Sequence, residues 1–69
     1  METTTFMPVR LTEGREWFDT MASHPVQEEA RRIAYETDAR IPGWAKDNPI
    51  ERITKVRITE LRYTDAIIP

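Results

Sequence analysis

Ser23-His24-Pro25-Val26-Gln27-Glu28-Glu29-Ala30-Arg31-Arg32-Ile33-Ala34-Tyr35-Glu36-Thr37-Asp38-Ala39-Arg40 is the stretch on which the fold turns. Val26, Ala30, Ile33, Ala34 and Thr37 recur at i, i+4, i+7, i+8 and i+11, which is one face of a helix. Ser23 stands where an N-cap belongs, Pro25 fits a first turn, and Glu28 and Glu29 suit the positive end of the helix dipole. Glu28 with Arg32, and Glu36 with Arg40, are i,i+4 pairs in the favourable orientation. The pattern predicts a helix over 23–39. Ile41 precedes Pro42 and so avoids helical geometry, which ends it. Pro42 to Asn48 is expected to form one short helical turn, closed by Pro49.

On either side of this helix the sequence reads as strand. Met7, Val9 and Leu11 fall on one face at period two. Pro8 removes a ladder donor, so this segment is expected at a sheet edge or with its proline on an unpaired side. Thr12-Glu13-Gly14-Arg15 reads as a turn, with Gly14 able to take positive φ. Glu16 to Ala22 is either a return strand, favoured by its aromatics and Thr20, or a short helix, since Trp17, Phe18 and Met21 also fit helical spacing. Downstream, Ile53 to Thr59 is rich in β-branched residues and reads as strand, with a bulge expected between Ile53 and Val56. Leu61 and Tyr63 are placed to continue it. The apolar tail Ala66-Ile67-Ile68-Pro69 is expected to pack on the core or on another chain. The expected architecture is α+β: a small antiparallel sheet in the order β-β-α-β with one main helix, in a single domain over 1–69.

Sixty-nine residues bury only about 60% of the surface an unfolded chain would expose. Domains this small gain stability from disulfides, a metal or association. There is no cysteine, and one histidine, His24, does not make a metal site. Association remains, and so does a second reason for it: one helix over a small sheet leaves open edges and a thinly covered face. A homodimer is the expectation. The net charge of −2 and the interspersed charges belong to an ordinary soluble surface. No apolar run approaches the roughly 20 residues that span a bilayer, and Met1 to Thr5 has no signal-peptide character, so a cytoplasmic location is expected.

Catalysis requires converging groups, and they are missing from the pattern. His24 simply follows Ser23 in the chain, whereas triad partners come from different elements. Glu28 and Glu29 diverge on a helix, and Gly14 and Gly43 are too far apart to cradle a phosphate. No enzyme activity, cofactor or metal is expected. Lys55, Arg57 and Arg62, with Arg31 and Arg32, admit a small dimeric DNA-binding repressor as an alternative. Against it stand the acidic balance and the presence of one sound helix where a ribbon-helix-helix protein needs two.

Protein binding is the remaining class, and its usual anchors are Trp, Tyr and Arg. Trp44, in a Pro-Gly segment, is either a lid on the core or an interface residue. Tyr35 lies off the apolar stripe and is either a flank-covering residue or an anchor. Arg31, Tyr35, Arg40, Ile41 and Trp44 make up the expected partner-binding surface.

In its length, single helix over 23–40, exposed-looking Tyr35 and Trp44 loop, the chain resembles the small, cysteine-free inhibitors that temperate phages make to disable host functions. Within that class it is similar to the quorum-sensing anti-activators of Pseudomonas phages. The resemblance implies a phage-encoded homodimer in the host cytoplasm. It would bind a host protein such as a LuxR-type transcription regulator, and also the pilus assembly ATPase. An anti-CRISPR-type inhibitor is the alternative in the same setting.

Overall fold

The computed structural model describes residues 2–59 and 62–65, with side chains for 3–58. It is an α+β fold: a four-stranded antiparallel sheet and one main helix. The strands are β1 (Glu2–Thr12), β2 (Arg15–Phe18), β3 (Ile50–Thr59) and β4 (Arg62–Asp65), in the spatial order β2-β1-β3-β4. Between β2 and β3 lie a 3-10 turn (Thr20–Ala22), helix α1 (Gln27–Arg40) and helix α2 (Pro42–Asp47). The expected β-β-α-β order is present, and β4 adds a fourth strand. Tyr63 does not prolong β3; it lies on β4, which folds back so that Tyr63 faces Ile58 in register. Leu61 and the tail 66–69 lie outside the described residues.

β1 is one of the two inner strands. It pairs with β3 from Glu2↔Thr59 to Val9↔Arg52 and with β2 from Val9↔Phe18 to Thr12↔Arg15. Pro8 is tolerated there because of where its backbone points. Asp19 N–H donates to Pro8 O at 2.9 Å, and Phe6 exchanges hydrogen bonds with His24 on the same side. The missing donor of Pro8 therefore faces the side where β2 has already ended, as its chemistry requires. The β1–β3 register slips between Val9 and Arg10, leaving Glu51 as the extra residue. The bulge thus falls at Glu51, ahead of the expected site between Ile53 and Val56, and Thr54 and Val56 share one buried face with Met7, Val9 and Thr5.

The other face of β1 is buried as well, at Pro8 and Arg10. β1 is thus buried on both faces from Met7 to Arg10, while β2 and β4 remain the outer strands, so small size and open edges are the reasons left to expect association. On α1 the predicted stripe holds at Ala30 and Ala34, both fully buried, while Val26 is exposed.

The helix starts at Gln27 instead of residue 23, and Val26 is its N-cap without a side-chain cap. Ser23 ends the 3-10 turn instead, donating its N–H to Thr20 O. Two long-range bonds with Phe6 keep His24 extended, and His24 Nδ1 accepts from Val26 N–H at 2.9 Å. Strand pairing overrides the local capping signal. Surface pairs also differ from expectation: Arg32 binds Glu29 and, at 3.1 Å, Glu36, while Arg31 lies 3.8 Å from Glu28. The stretch 16–22 splits between its two readings, strand to Phe18 and helical turn from Thr20.

Thr12 and Arg15 close the β1–β2 hairpin around two residues with positive φ, Glu13 at 50° and Gly14 at 80°. That is the twist-matched hairpin turn that favours Asn-Gly. Nothing lies within 4 Å of a Cβ built at Gly14, so the demand is on the backbone alone. Gly14→Ala is expected to destabilise the protein by about 1 kcal/mol, and Glu13→Asn to stabilise it by a few tenths. Urea unfolding followed by circular dichroism checks both signs.

Candidate binding groove

The site is assembled around Arg10. Its side chain is 0% exposed, and three of its nitrogens reach three different parts of the chain. Nε donates to Asp19 Oδ2 at 2.7 Å, Nη1 to the Asn48 carbonyl at 2.9 Å, and Nη2 to Asp38 Oδ1 at 2.8 Å. The guanidinium also lies 4.6 Å from the centroid of the Trp44 ring, within cation–π range. Burial, the largest single influence, pulls the Arg10 pKa down. The hydrogen bonds and charges of Asp38 and Asp19 outweigh it and hold the pKa above the ordinary arginine value. Every buried side-chain nitrogen and oxygen among the described residues has a hydrogen-bond partner.

Local sequence sets the reach of each partner. Asp19 follows β2 and caps the 3-10 turn: its Oδ1 accepts from Met21 N–H at 3.3 Å while Oδ2 holds Arg10. Ile41 and Asn48 both precede prolines and take nearly the same non-helical geometry, φ −131°, ψ 65° and φ −133°, ψ 62°. These two breaks bracket α2 and turn it back over Arg10. A second chain of bonds then locks Trp44 to β2. Trp17 Nε1–H donates to Thr12 Oγ1 at 2.7 Å, the Thr12 hydroxyl donates to Asn48 Oδ1, and Asn48 Nδ2 donates to the Trp44 carbonyl at 2.8 Å. The two indoles meet edge to face, 6.3 Å between centroids at 70°.

Beside this pair opens a groove of about 390 Å³ lined by Trp17, Asp19, Met21, Ala22, Thr37 and Trp44. Met21 is 91% exposed at its edge; Trp17 and Trp44 are 36% and 38% exposed. A smaller hollow of about 170 Å³, lined by Val9, Glu16, Trp17, Phe18 and Arg52, carries the Arg52–Glu16 ion pair at 3.2 Å.

Trp44 is therefore both lid and wall, covering Arg10 with one part of its surface and facing the groove with another. Of the other expected contact residues, Arg31, Tyr35, Arg40 and Ile41 are all exposed, Tyr35 at 53%. Arg31 and Tyr35, one turn apart on α1, share a flank. Arg40 lies five residues beyond Tyr35, about 140° round the helix at 100° per residue. Arg40 therefore does not share the Arg31–Tyr35 flank. The structure instead places Trp17 and Met21 beside Trp44, which lies 27 and 23 residues from them in sequence, so no local spacing joins it to them.

Among the described residues no group of three His, Cys, Asp or Glu is placed to hold a metal, and no helix is long and apolar enough to cross a membrane. Comparison with protein-family models, with curated proteins and with solved structures finds no match to this chain.

Arg10→Ala leaves Asp19 and the Asn48 carbonyl buried without their donor, and breaking a buried pair in this way costs about 3–5 kcal/mol. In a domain this small that is most of the stability. The variant is expected to be largely unfolded at 25 °C by near-ultraviolet circular dichroism and urea titration, whereas Arg31→Ala, on the surface, stays within about 0.5 kcal/mol of the parent.

Proposed function

We propose that this chain is a non-catalytic protein-binding module that acts as an inhibitor by occupying a surface of another protein. The observation that carries the reading is the groove itself. Two tryptophans and a methionine, residue types that dominate binding hot spots and adaptable contacts, stand partly or fully exposed around it. The Trp17 indole is held by its hydrogen bond to Thr12, and the Trp44 ring by Arg10 and by Trp17, so little freedom remains to be lost on binding. Arg31 and Tyr35 on the flank of α1 offer a second contact region, and Ile41 lies at the elbow between α1 and α2.

The resemblance to small phage inhibitors extends the proposal: a host protein such as a LuxR-type regulator is the target, in the host cytoplasm, with a homodimer as the acting form. Blocking such a regulator needs a contact of about 800 Å² per partner, within the means of a domain this size.

Capture of partners from host lysate, read by mass spectrometry, tests this. The parent chain is expected to retain a host protein, and Met21→Lys to release it without loss of folding, because Met21 is so exposed. Tyr35→Ala is expected to weaken retention less. Retention that survives Met21→Lys and Trp17→Ala, or retention of DNA alone with a steep loss in salt, contradicts the proposal. Sedimentation at micromolar concentration is expected to give a dimer; a folded monomer contradicts that part.

A further inference from the structure

The groove carries a charge signature as well as an apolar lining. Its lining residue Asp19 belongs to a cluster in which two carboxylates, Asp19 and Asp38, share one buried guanidinium, an excess of one negative charge. Asp19 is also the one charged residue among those that line the groove. The walls are aromatic faces and edges at a near-perpendicular angle, with the Met21 thioether at the mouth. Trp44 already accepts a guanidinium against its ring from within.

We infer that the groove receives a cationic side chain, lysine or arginine, from a partner polypeptide: the aliphatic stem lies between Trp17, Trp44 and Met21, and the charge sits over the carboxylate excess. Aromatic faces attract cations through their quadrupole, and the interaction strengthens where water is displaced. A long basic side chain suits such a site because its stem is apolar and its head is charged. An acidic or purely apolar occupant gains nothing from Asp19 and Asp38. The inference rests on the groove being the binding surface proposed above, and it names the chemistry of what enters.

The chain has two tryptophans and both line the groove, so intrinsic fluorescence reads the site directly. The 69-residue chain is titrated at low salt with four capped tripeptides, Gly-Xaa-Gly, in which Xaa is lysine, arginine, norleucine or glutamate. Lysine and arginine peptides are expected to give saturable shifts. Norleucine, which keeps the stem and loses the charge, is expected to bind about tenfold more weakly. Glutamate gives no shift. Met21→Glu is expected to tighten the lysine peptide a few-fold and Met21→Lys to weaken it by as much, with unchanged circular dichroism. Equal binding of norleucine and lysine overturns the cation inference and leaves an apolar docking groove. No response to any peptide, with a partner still captured through Trp17, overturns the inference alone; no response and no captured partner overturn both readings.

Discussion

A buried guanidinium tolerates no partial solution. Arg10 sits on an inner strand with no exposed surface, and its three directed bonds go to the end of β2, to the C-terminal part of α1 and to the end of α2. Each of those elements must be in place before the charge is satisfied, since leaving one bond unmade strands a buried polar group. Among the described residues the purely apolar part of the core is small: Met7, Val9, Ala22, Ala30, Ala34 and Val56 are its buried members. Five of these six are small or β-branched, so apolar burial alone fixes the relative positions of the helices loosely. The directed bonds from Arg10 supply the register that such a core leaves underdetermined.

The same constraint shapes the surface. Trp44 cannot sink into a core already occupied by Arg10, so it lies on top of the guanidinium with more than a third of its area in solvent. Trp17, on the same face of the sheet as Arg10, meets it edge to face. Asp19 ties the two levels together, holding Arg10 with one oxygen and the backbone of the Met21 turn with the other. The groove is thus a by-product of how a small domain closes over a charge, and its walls inherit the rigidity of that closure. Rigid exposed aromatics are what a binding surface needs, which is why the fold and the proposed function share one origin.

Elements carried by local pattern were legible in the sequence. The Ala30 and Ala34 stripe, the β-branched run of β3, the period-two face of Met7 and Val9 and the turn at Gly14 all stand in the structure where their chemistry points. What was not legible depends on contacts between distant residues. Arg10 looks like an ordinary solvent-facing position in an extended segment, because Asp19, Asp38 and Asn48 lie 9, 28 and 38 residues away. The helix start moved because His24 pairs with Phe6, and no local capping rule sees that bond. Trp44 was legible as a residue that either covers the core or faces a partner, and it does the first while remaining open to the second. Met21 and Trp17 were missed as its companions because the 3-10 turn that aims Met21 depends on Asp19, whose other oxygen is held by Arg10.

The most direct test uses the unaltered protein. In a nitrogen-15 spectrum near neutral pH, exposed arginine side chains exchange their protons with water quickly and average their terminal nitrogens. The account predicts one arginine, assigned to Arg10, whose Nε–H persists, exchanges only on global unfolding and shows separate signals for Nη1 and Nη2, with close contacts to the Trp44 ring. An Arg10 signal that exchanges as fast as that of Arg31, with averaged terminal nitrogens, would contradict it.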